Sequence, residues 1–139
     1  MTSFDSAFEI VVGIEGNYSD DPKDPGGETK YGISKRAHPS LDIANLTLED
    51  AKAIYKREYW DVLGLDNEPW YVQLMLFDMS VNQGQNLTRS LRARYPNFPD
   101  LAVARVDHYW TDPNFSRFGH GWLRRVARIL ALASMPTAP

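Results

Sequence analysis

Cysteine is absent from the 139-residue sequence, which excludes disulfide bonds, thiolate chemistry and cysteine-based zinc sites. A long apolar run is also missing: the most apolar stretch, residues 70–82, has about 13 residues, whereas a membrane-spanning helix needs roughly 20. The N-terminus lacks the basic and apolar segments of a signal peptide, because Asp5 and Glu9 interrupt the first predicted helix. We therefore expect no signal peptide and no stable membrane insertion, so a target outside the cytoplasm would require another protein for release.

The composition is that of an ordinary globular protein, with 43% hydrophobic, 24% charged and 12% aromatic residues. At this length we expect one compact domain over residues 1–139. Charge is unevenly distributed: residues 1–84 carry 15 acidic and 7 basic side chains, whereas residues 85–139 carry 3 acidic side chains and 8 arginines. The basic half indicates either solvated helix faces or contact with an anionic polymer or lipid head groups.

Residues 15–34, EGNYSDDPKDPGGETKYGIS, contain the densest group of chemically active side chains. In the preceding segment Phe4, Phe8 and Val11 fall at helical spacing, and the same stripe continues to Glu15. This pattern predicts a first helix that ends near Glu15 and points its carboxyl toward the core. Burial disfavours the charged form of a carboxyl, so such a position suits a general acid. The alternative is that Glu15 is a half-exposed residue at a helix end.

The segment after Glu15 places several carboxylates in a polar, turn-rich setting, namely Asp20, Asp21, Asp24 and Glu28. One neutral acid and one ionised acid form the pair that glycosidic-bond hydrolysis requires. The alternative is that the aspartates only form turns. Calcium binding is a further option, but prolines occupy positions where an EF-hand loop needs ligands. We therefore expect no metal and no cofactor.

The run Glu15-Gly16-Asn17-Tyr18, then DPKDPGGET and Tyr31-Gly32-Ile33-Ser34, resembles the N-terminal signature of glycoside hydrolase family 108, the phage-type N-acetylmuramidases. That family usually has glycine in place of Asn17. The resemblance covers residues 4–84 and, to a lesser degree, 105–130. It implies a mainly helical, lysozyme-like α+β fold, Glu15 as the catalytic acid, and peptidoglycan glycan strands as the partner.

A looser similarity to the glutamate, aspartate and threonine of other phage lysozymes adds Asp24 and Thr29 to Glu15 as catalytic candidates. The gap between Asp24 and Thr29 is one residue shorter here than in that arrangement. Asp20 or Asp21 is the alternative to Asp24 as the second carboxylate.

Within residues 28–33, Thr29, Tyr31 and Ile33 alternate with Glu28, Lys30 and Gly32. This alternation predicts a short strand or one arm of a hairpin with Thr29 and Tyr31 on one face. A threonine hydroxyl facing a cleft could hold a water molecule, although β-propensity alone also explains a threonine here. The tyrosines of the motif, Tyr18 and Tyr31, are candidates for substrate binding.

Two more helices are predicted before residue 85. Thr47 and Asp50 form a capping-box pattern ahead of a helix that runs to Trp60, and Trp60 could stack on a sugar or pack in the core. From Trp70 onward the sequence is apolar nearly all round, which indicates a buried central helix that ends at Gly84.

Asp78 and Asn82 lie one turn apart on this central helix. A carboxylate on a buried helix needs a partner or a function. Asp78 could cap a neighbouring helix or project into the substrate cleft, and both residues are candidates for substrate binding.

Residues 85–139 are predicted to be a shortened C-terminal helical part, and residues 1–84 the catalytic part, of one domain. Asp100 is expected to cap one helix, and residues 114–134 to form the last. The inner face of the last helix is predicted to hold Trp122, Val126, Ile129 and Ala133. No nucleic-acid-binding motif is evident and the total charge is negative, so nucleic acid is not an expected partner.

The expected function is hydrolysis of the β-1,4 bond between N-acetylmuramic acid and N-acetylglucosamine by a monomeric phage endolysin, released through a holin into the periplasm. The alternatives are a lytic transglycosylase and a non-catalytic peptidoglycan-binding module. A water-mediated inverting mechanism needs carboxyls roughly 6.5–9.5 Å apart and a retaining one about 5–5.5 Å; sequence spacing does not decide between them.

Overall fold

The computed structural model describes residues 1–139. Six α-helices and one two-stranded antiparallel sheet confirm the expected mainly helical fold with a small hairpin. The chain forms two compact units, Met1–Glu58 and Tyr59–Pro139; the expectation of a single domain divided near residue 84 stays a prediction. None of the helices combines the length and the apolar character needed to cross a membrane.

In the first unit, helix α1 (Ser3–Val11) begins at the capping box that Thr2 forms with Asp5. The predicted extension to Glu15 is wrong. The N–H groups of Val12 and Gly13 both donate to the Phe8 carbonyl, and Gly13 then adopts φ +86°, which ends the helix. Glu15 consequently lies in the following loop.

Helix α2 (Leu48–Tyr55) begins at Thr47, whose capping box with Asp50 was expected from the sequence. A π-helical turn, Lys56–Trp60, follows it. Helices α1 and α2 pack together through the Phe8 and Tyr55 rings, whose centroids are 5.6 Å apart. The first unit therefore has a small aromatic core beneath its loops.

Strands β1 (Thr29–Lys30) and β2 (Ile33–Ser34) form a hairpin in which Thr29 pairs with Ser34 and Lys30 with Ile33. The connecting residues Tyr31 and Gly32 have φ values of 51° and 74°, as a two-residue type I′ turn requires. The prediction that Thr29 and Tyr31 share one strand face is wrong, because Tyr31 belongs to the turn.

The second unit is built around α3 (Trp70–Gln83), which is buried along most of its length and stops at Gly84 with φ +90°. This confirms the predicted central helix and its end. Three more helices complete the unit: α4 (Gln85–Arg94), α5 (Phe98–Trp110) and α6 (Phe115–Ala133). Helix α3 packs against α4 and α6, and α5 packs against α6.

Asn97, and not Asp100, caps α5. The Asp100 N–H donates to Asn97 Oδ1 at 2.9 Å, and Pro99 is accommodated in the first turn, where its missing N–H costs nothing. On α6, Val126, Ile129 and Ala133 are buried as predicted, whereas Trp122 is half-buried.

Candidate active site

A cavity of about 500 Å³ lies beside the loop that follows α1 in the first unit. Glu15 and Glu9 are its acidic wall residues, and Asn17 and Tyr31 are its main polar and aromatic ones. The remaining wall residues are Val12, Gly13, Ile14, Gly16 and Gly32. The cavity therefore joins the Glu15 loop to the turn of the hairpin, the two parts of the motif found in the sequence.

The predicted burial of Glu15 is wrong, since its side chain is exposed at the cavity wall. The reason is local: the apolar spacing continues to residue 15, but the helix does not pass Val11. Glu15 thus reaches the cavity through a glycine-containing loop and not from the end of a helix.

Gly16 is required by the position of Tyr31. A Cβ atom at residue 16 would lie 2.1 Å from Tyr31 Cζ, and Gly16 has φ +58°. Tyr31 is held from the other side, because the Tyr55 hydroxyl donates to the Tyr31 carbonyl at 2.8 Å. The backbone of Tyr31 is therefore anchored beside the cavity that the residue lines.

The aspartates of the acidic loop stabilise turns. Asp24 Oδ1 accepts from the Gly26 N–H at 2.8 Å, and Asp21 Oδ1 accepts from the Lys23 N–H at 2.9 Å, as Asx turns do. Neither residue, nor Asp20, lines the Glu15 cavity. The assignment of one of them as the second carboxylate stays a prediction.

Tyr18 and Thr29 also bond within the motif. The Tyr18 hydroxyl donates to Glu28 Oε1 at 2.7 Å, and this hydrogen bond to a carboxylate raises the pKa of Tyr18 to about 12. Thr29 Oγ1 donates to the Gly27 carbonyl at 3.2 Å. These bonds brace the loop against the hairpin, and the proposed contacts of both residues with substrate stay predictions.

Trp60 lies in the second unit and is fully buried. Its indole N–H donates to Asp66 Oδ1 at 2.7 Å, and its ring packs edge-on against Phe77 with centroids 5.6 Å apart. This position matches the core-packing alternative for Trp60.

Asp78 is fully buried in the second unit and forms ion pairs with Arg105 and Arg125. Arg105 is itself fully buried, and Arg125 Nε donates to Asp78 Oδ1 at 2.8 Å. The side chain caps no helix, and its enclosure leaves no surface for direct contact with a polymer. Asn82 is exposed and its amide donates to the Asp78 carbonyl at 2.7 Å, so it is the accessible member of this pair.

Glu9 is the cavity residue that sequence reasoning missed. It appeared only as a charge that interrupts an apolar segment. The spacing gave no indication that Glu9 lines a cavity, because the cavity forms where the loop with positive-φ Gly13 and Gly16 turns beside α1.

A cavity whose wall holds two carboxylates suits glycosidic-bond hydrolysis, which uses a pair of Asp or Glu side chains. The sequence profile of the family described as Glycosyl hydrolase 108 matches residues 8–84, and the chain belongs to this family. The structure is similar to that of Brucella abortus SagA, with a TM-score of 0.74, 26% sequence identity, and coverage of 94% of this chain and 93% of that chain. No curated protein matches the chain. The protein is therefore a glycoside hydrolase of the N-acetylmuramidase type and, at the family level, a peptidoglycan hydrolase.

Proposed function

We propose that this hydrolase cleaves the β-1,4 bond between N-acetylmuramic acid and N-acetylglucosamine, with Glu15 protonating the leaving glycosidic oxygen. The observation that carries the proposal is the presence of Glu15 in the wall of the roughly 500 Å³ cavity, within the range of small-ligand sites. A glycan bound there would exclude bulk water from the Glu15 carboxyl. Bound substrate would therefore desolvate the Glu15 carboxyl, which is exposed to water in the free protein.

Asp24 is the proposed second carboxylate, with Asp20 or Asp21 as the alternative. The Gly26 N–H fixes Asp24 Oδ1, which leaves Oδ2 to stabilise positive charge at the anomeric carbon or to activate a water that Thr29 helps to hold. A water between the two carboxyls would lead to inversion of configuration. Tyr18, Tyr31 and Asn82 are proposed to contact the glycan.

The proposed setting is a phage endolysin, acting as a monomer of one domain in the periplasm after release through a holin. This proposal is supported by the resemblance of residues 15–34 to the phage-type enzymes.

The test is Glu15→Gln, which is close to isosteric, measured by loss of turbidity of purified peptidoglycan and by mass spectrometry of the products. Glu49→Gln, an exposed glutamate of α2 outside the cavity, is the matched control. We expect wild type and Glu49→Gln to release muropeptides ending in reducing muramic acid, and folded Glu15→Gln to release none. Normal lysis by Glu15→Gln would eliminate the assigned acid.

The same product analysis separates the two alternatives. A product ending in an anhydro sugar would identify a lytic transglycosylase, for which one acid is sufficient because no water has to be activated. Binding of the wall without any product would identify a non-catalytic module.

A further inference from the structure

Helix α6 carries four arginines and no aspartate or glutamate. Arg125 pairs with the buried Asp78, whereas Arg117, Arg124 and Arg128 are exposed and form no ion pair. Their spacing of seven and four residues places these three side chains on one face of the helix, opposite the side that packs against α3 and α5. This row of three arginines is termed the arginine stripe.

The surroundings leave the arginine stripe positively charged. The acidic residues of segment 85–139, which are Asp100, Asp107 and Asp112, all precede α6, so no carboxylate lies between the arginines along the helix. The stripe is about 16 Å long, since each helical residue rises about 1.5 Å, and its side chains line none of the larger cavities. It is therefore an outward-facing surface that attracts anions.

Two exposed aromatic rings lie at the N-terminal end of the stripe. Trp110, the last residue of α5, is 67% exposed, and Phe118 in the first turn of α6 is 45% exposed. Trp110 packs against Phe115 with ring centroids 5.0 Å apart. Phe115 and Phe118 both contact Trp122, with centroids 6.5 Å and 6.0 Å away. The guanidinium carbon of Arg117 is 4.9 Å from the centroid of the Phe118 ring, so this aromatic group is continuous with the arginine stripe.

Unpaired arginines beside exposed aromatic rings favour a membrane surface as the partner. A bilayer presents anionic phosphates to the arginines and, beneath them, an apolar layer that accepts aromatic rings, and tryptophan is enriched at membrane–water interfaces. A soluble polyanion offers the charge without the apolar layer. Single-stranded nucleic acid offers charge and stacking surfaces, but proteins hold it in a basic groove, whereas the stripe lies on the convex side of a helix.

We propose that this face of α6 binds the surface of a bilayer containing anionic phospholipid, with the arginine stripe against the lipid phosphates. The rings of Trp110 and Phe118 enter the boundary between headgroups and acyl chains, while every helix stays folded within the protein. The lipid class follows from this surface alone. Its consequence, retention of a peptidoglycan hydrolase on the membrane beside the cell wall, rests on the proposed function.

The experiment measures sedimentation of the full wild-type chain with sucrose-loaded vesicles. Vesicles of pure phosphatidylcholine are compared with vesicles that contain about 30% phosphatidylglycerol, at about 0.1 M salt. Each arginine close to an anionic surface strengthens partitioning about fivefold, equivalent to about 1 kcal/mol, so we expect partitioning about 10²-fold stronger into the anionic vesicles. Raising the salt should reduce this preference, because the Debye length becomes shorter.

The double variant Arg124→Gln with Arg128→Gln removes two charges of the stripe. We expect its partitioning into anionic vesicles to fall about 25-fold, and its hydrolysis of lipid-free peptidoglycan to stay at the wild-type rate. The double variant Arg36→Gln with Arg57→Gln is the matched control, because it removes the same charge from exposed positions of the first unit. It should partition like wild type.

Trp110→Ala tests the aromatic contribution, and we expect it to weaken partitioning about tenfold. Tyr71→Ala is its control. Tyr71 is 43% exposed and packs against Phe98 at the start of α5, whereas Trp110 is at the end of that helix, so Tyr71→Ala should partition like wild type. If Trp110→Ala does not fold, the arginine variants and the comparison of the two vesicle types still decide the question.

The proposal is overturned if both vesicle types sediment the protein equally, if the α6 double variant partitions like wild type, or if single-stranded DNA at the same phosphate concentration is bound as tightly. Loss of peptidoglycan hydrolysis in the α6 double variant also overturns it, since the stripe would then serve the wall polymer. Hydrolysis by the wild type without preferential sedimentation overturns this inference alone, and preferential sedimentation without hydrolysis overturns the proposed enzymatic function alone.

Discussion

The ring of Tyr31 occupies the space that a side chain at Gly16 would need: a Cβ atom there would lie 2.1 Å from Tyr31 Cζ. Tyr31 is in turn fixed by the hydrogen bond from the Tyr55 hydroxyl to its carbonyl. Gly16 therefore packs the Glu15 loop closely against the hairpin turn. The hairpin turn is in turn hydrogen-bonded to α2 through Tyr55. The shape of the cavity depends on this connection.

Gly16→Ala is expected to reduce both activity and stability. The positive φ of +58° costs an alanine roughly 1–2 kcal/mol, and the Tyr31 ring must leave its place in the cavity wall. We expect a fall in turnover of about tenfold or more, measured on purified peptidoglycan, and a Tm lower by several degrees.

Gly64→Ala is the matched control, because Gly64 has φ +64° but a Cβ there meets nothing within 4 Å. It should lose a similar amount of stability and keep its turnover. Equal activity of the two variants would show that the contact between Gly16 and Tyr31 does not shape the site.

The local features of the fold could be predicted from the sequence. The cap at Thr47 needs only an aspartate three residues later, and Gly84 stops a helix through its own backbone conformation. Such features depend on a few neighbouring residues, so their sequence pattern is sufficient. The end of α1 was not predicted correctly, because the prediction relied on apolar spacing, which continues past Gly13 and does not register the positive φ that Gly13 adopts.

The features that could not be predicted depend on distant parts of the chain. Asp78 pairs with Arg105, 27 residues later, and with Arg125, 47 residues later, and nothing in the local sequence of α3 identifies either partner. Glu9 likewise enters the cavity only because the following loop turns beside α1. The motif located the candidate site, but its complete wall and the burial of its residues required the three-dimensional structure.

Asp24→Asn tests the proposed second carboxylate. The amide oxygen can still accept from the Gly26 N–H, so the turn should persist, but an uncharged group cannot stabilise positive charge at the anomeric carbon. We expect turnover to fall about 10²-fold or more, with binding to intact cell walls nearly unchanged in a sedimentation assay.

Glu9→Gln is measured beside it, because Glu9 lines the cavity and Asp24 does not. We expect this variant to retain its turnover. If Asp24→Asn keeps its turnover and Glu9→Gln loses most of it, Glu9 is the second carboxylate. If both variants keep their turnover, Asp20 or Asp21 becomes the candidate for the second carboxylate.

Asp5 is expected to contribute stability that disappears in acid. Its carboxylate accepts from the N–H and hydroxyl of Thr2 and pairs with Lys52 Nζ at 3.0 Å, and the Thr2 bonds, followed by Lys52, hold the pKa of Asp5 well below its usual range. Because the folded-state pKa is depressed, the contribution is complete above the unfolded pKa of about 3.9 and is lost as pH falls below it.

Asp5→Asn should therefore lower the Tm by a few degrees at pH 7, and the difference from wild type should narrow below about pH 4. Asp50→Asn removes the equivalent carboxylate of the α2 capping box, for which the structure shows no lysine partner, and should have the smaller effect at neutral pH. A difference between Asp5→Asn and wild type that stays constant from pH 7 to pH 3 would contradict the assignment.

Asp78→Asn is expected to destabilise the protein without directly affecting the chemistry of hydrolysis. Arg105 is fully buried, and Asp78 is its carboxylate partner; its other contacts, Gln83 Oε1, Met75 Sδ and the Tyr109 hydroxyl, carry no charge. Removing one charge of a buried pair costs about 3–5 kcal/mol, whereas replacing both charges with apolar side chains is often neutral. We therefore expect a large loss in the free energy of unfolding, measured by urea denaturation, and substantial recovery in the double variant Asp78→Leu with Arg105→Met.

Because the Asp78 side chain is enclosed, the fraction of Asp78→Asn that remains folded should bind peptidoglycan like wild type. Wild-type stability combined with weakened binding would instead mean that Asp78 contacts the glycan and that its enclosure opens when substrate binds.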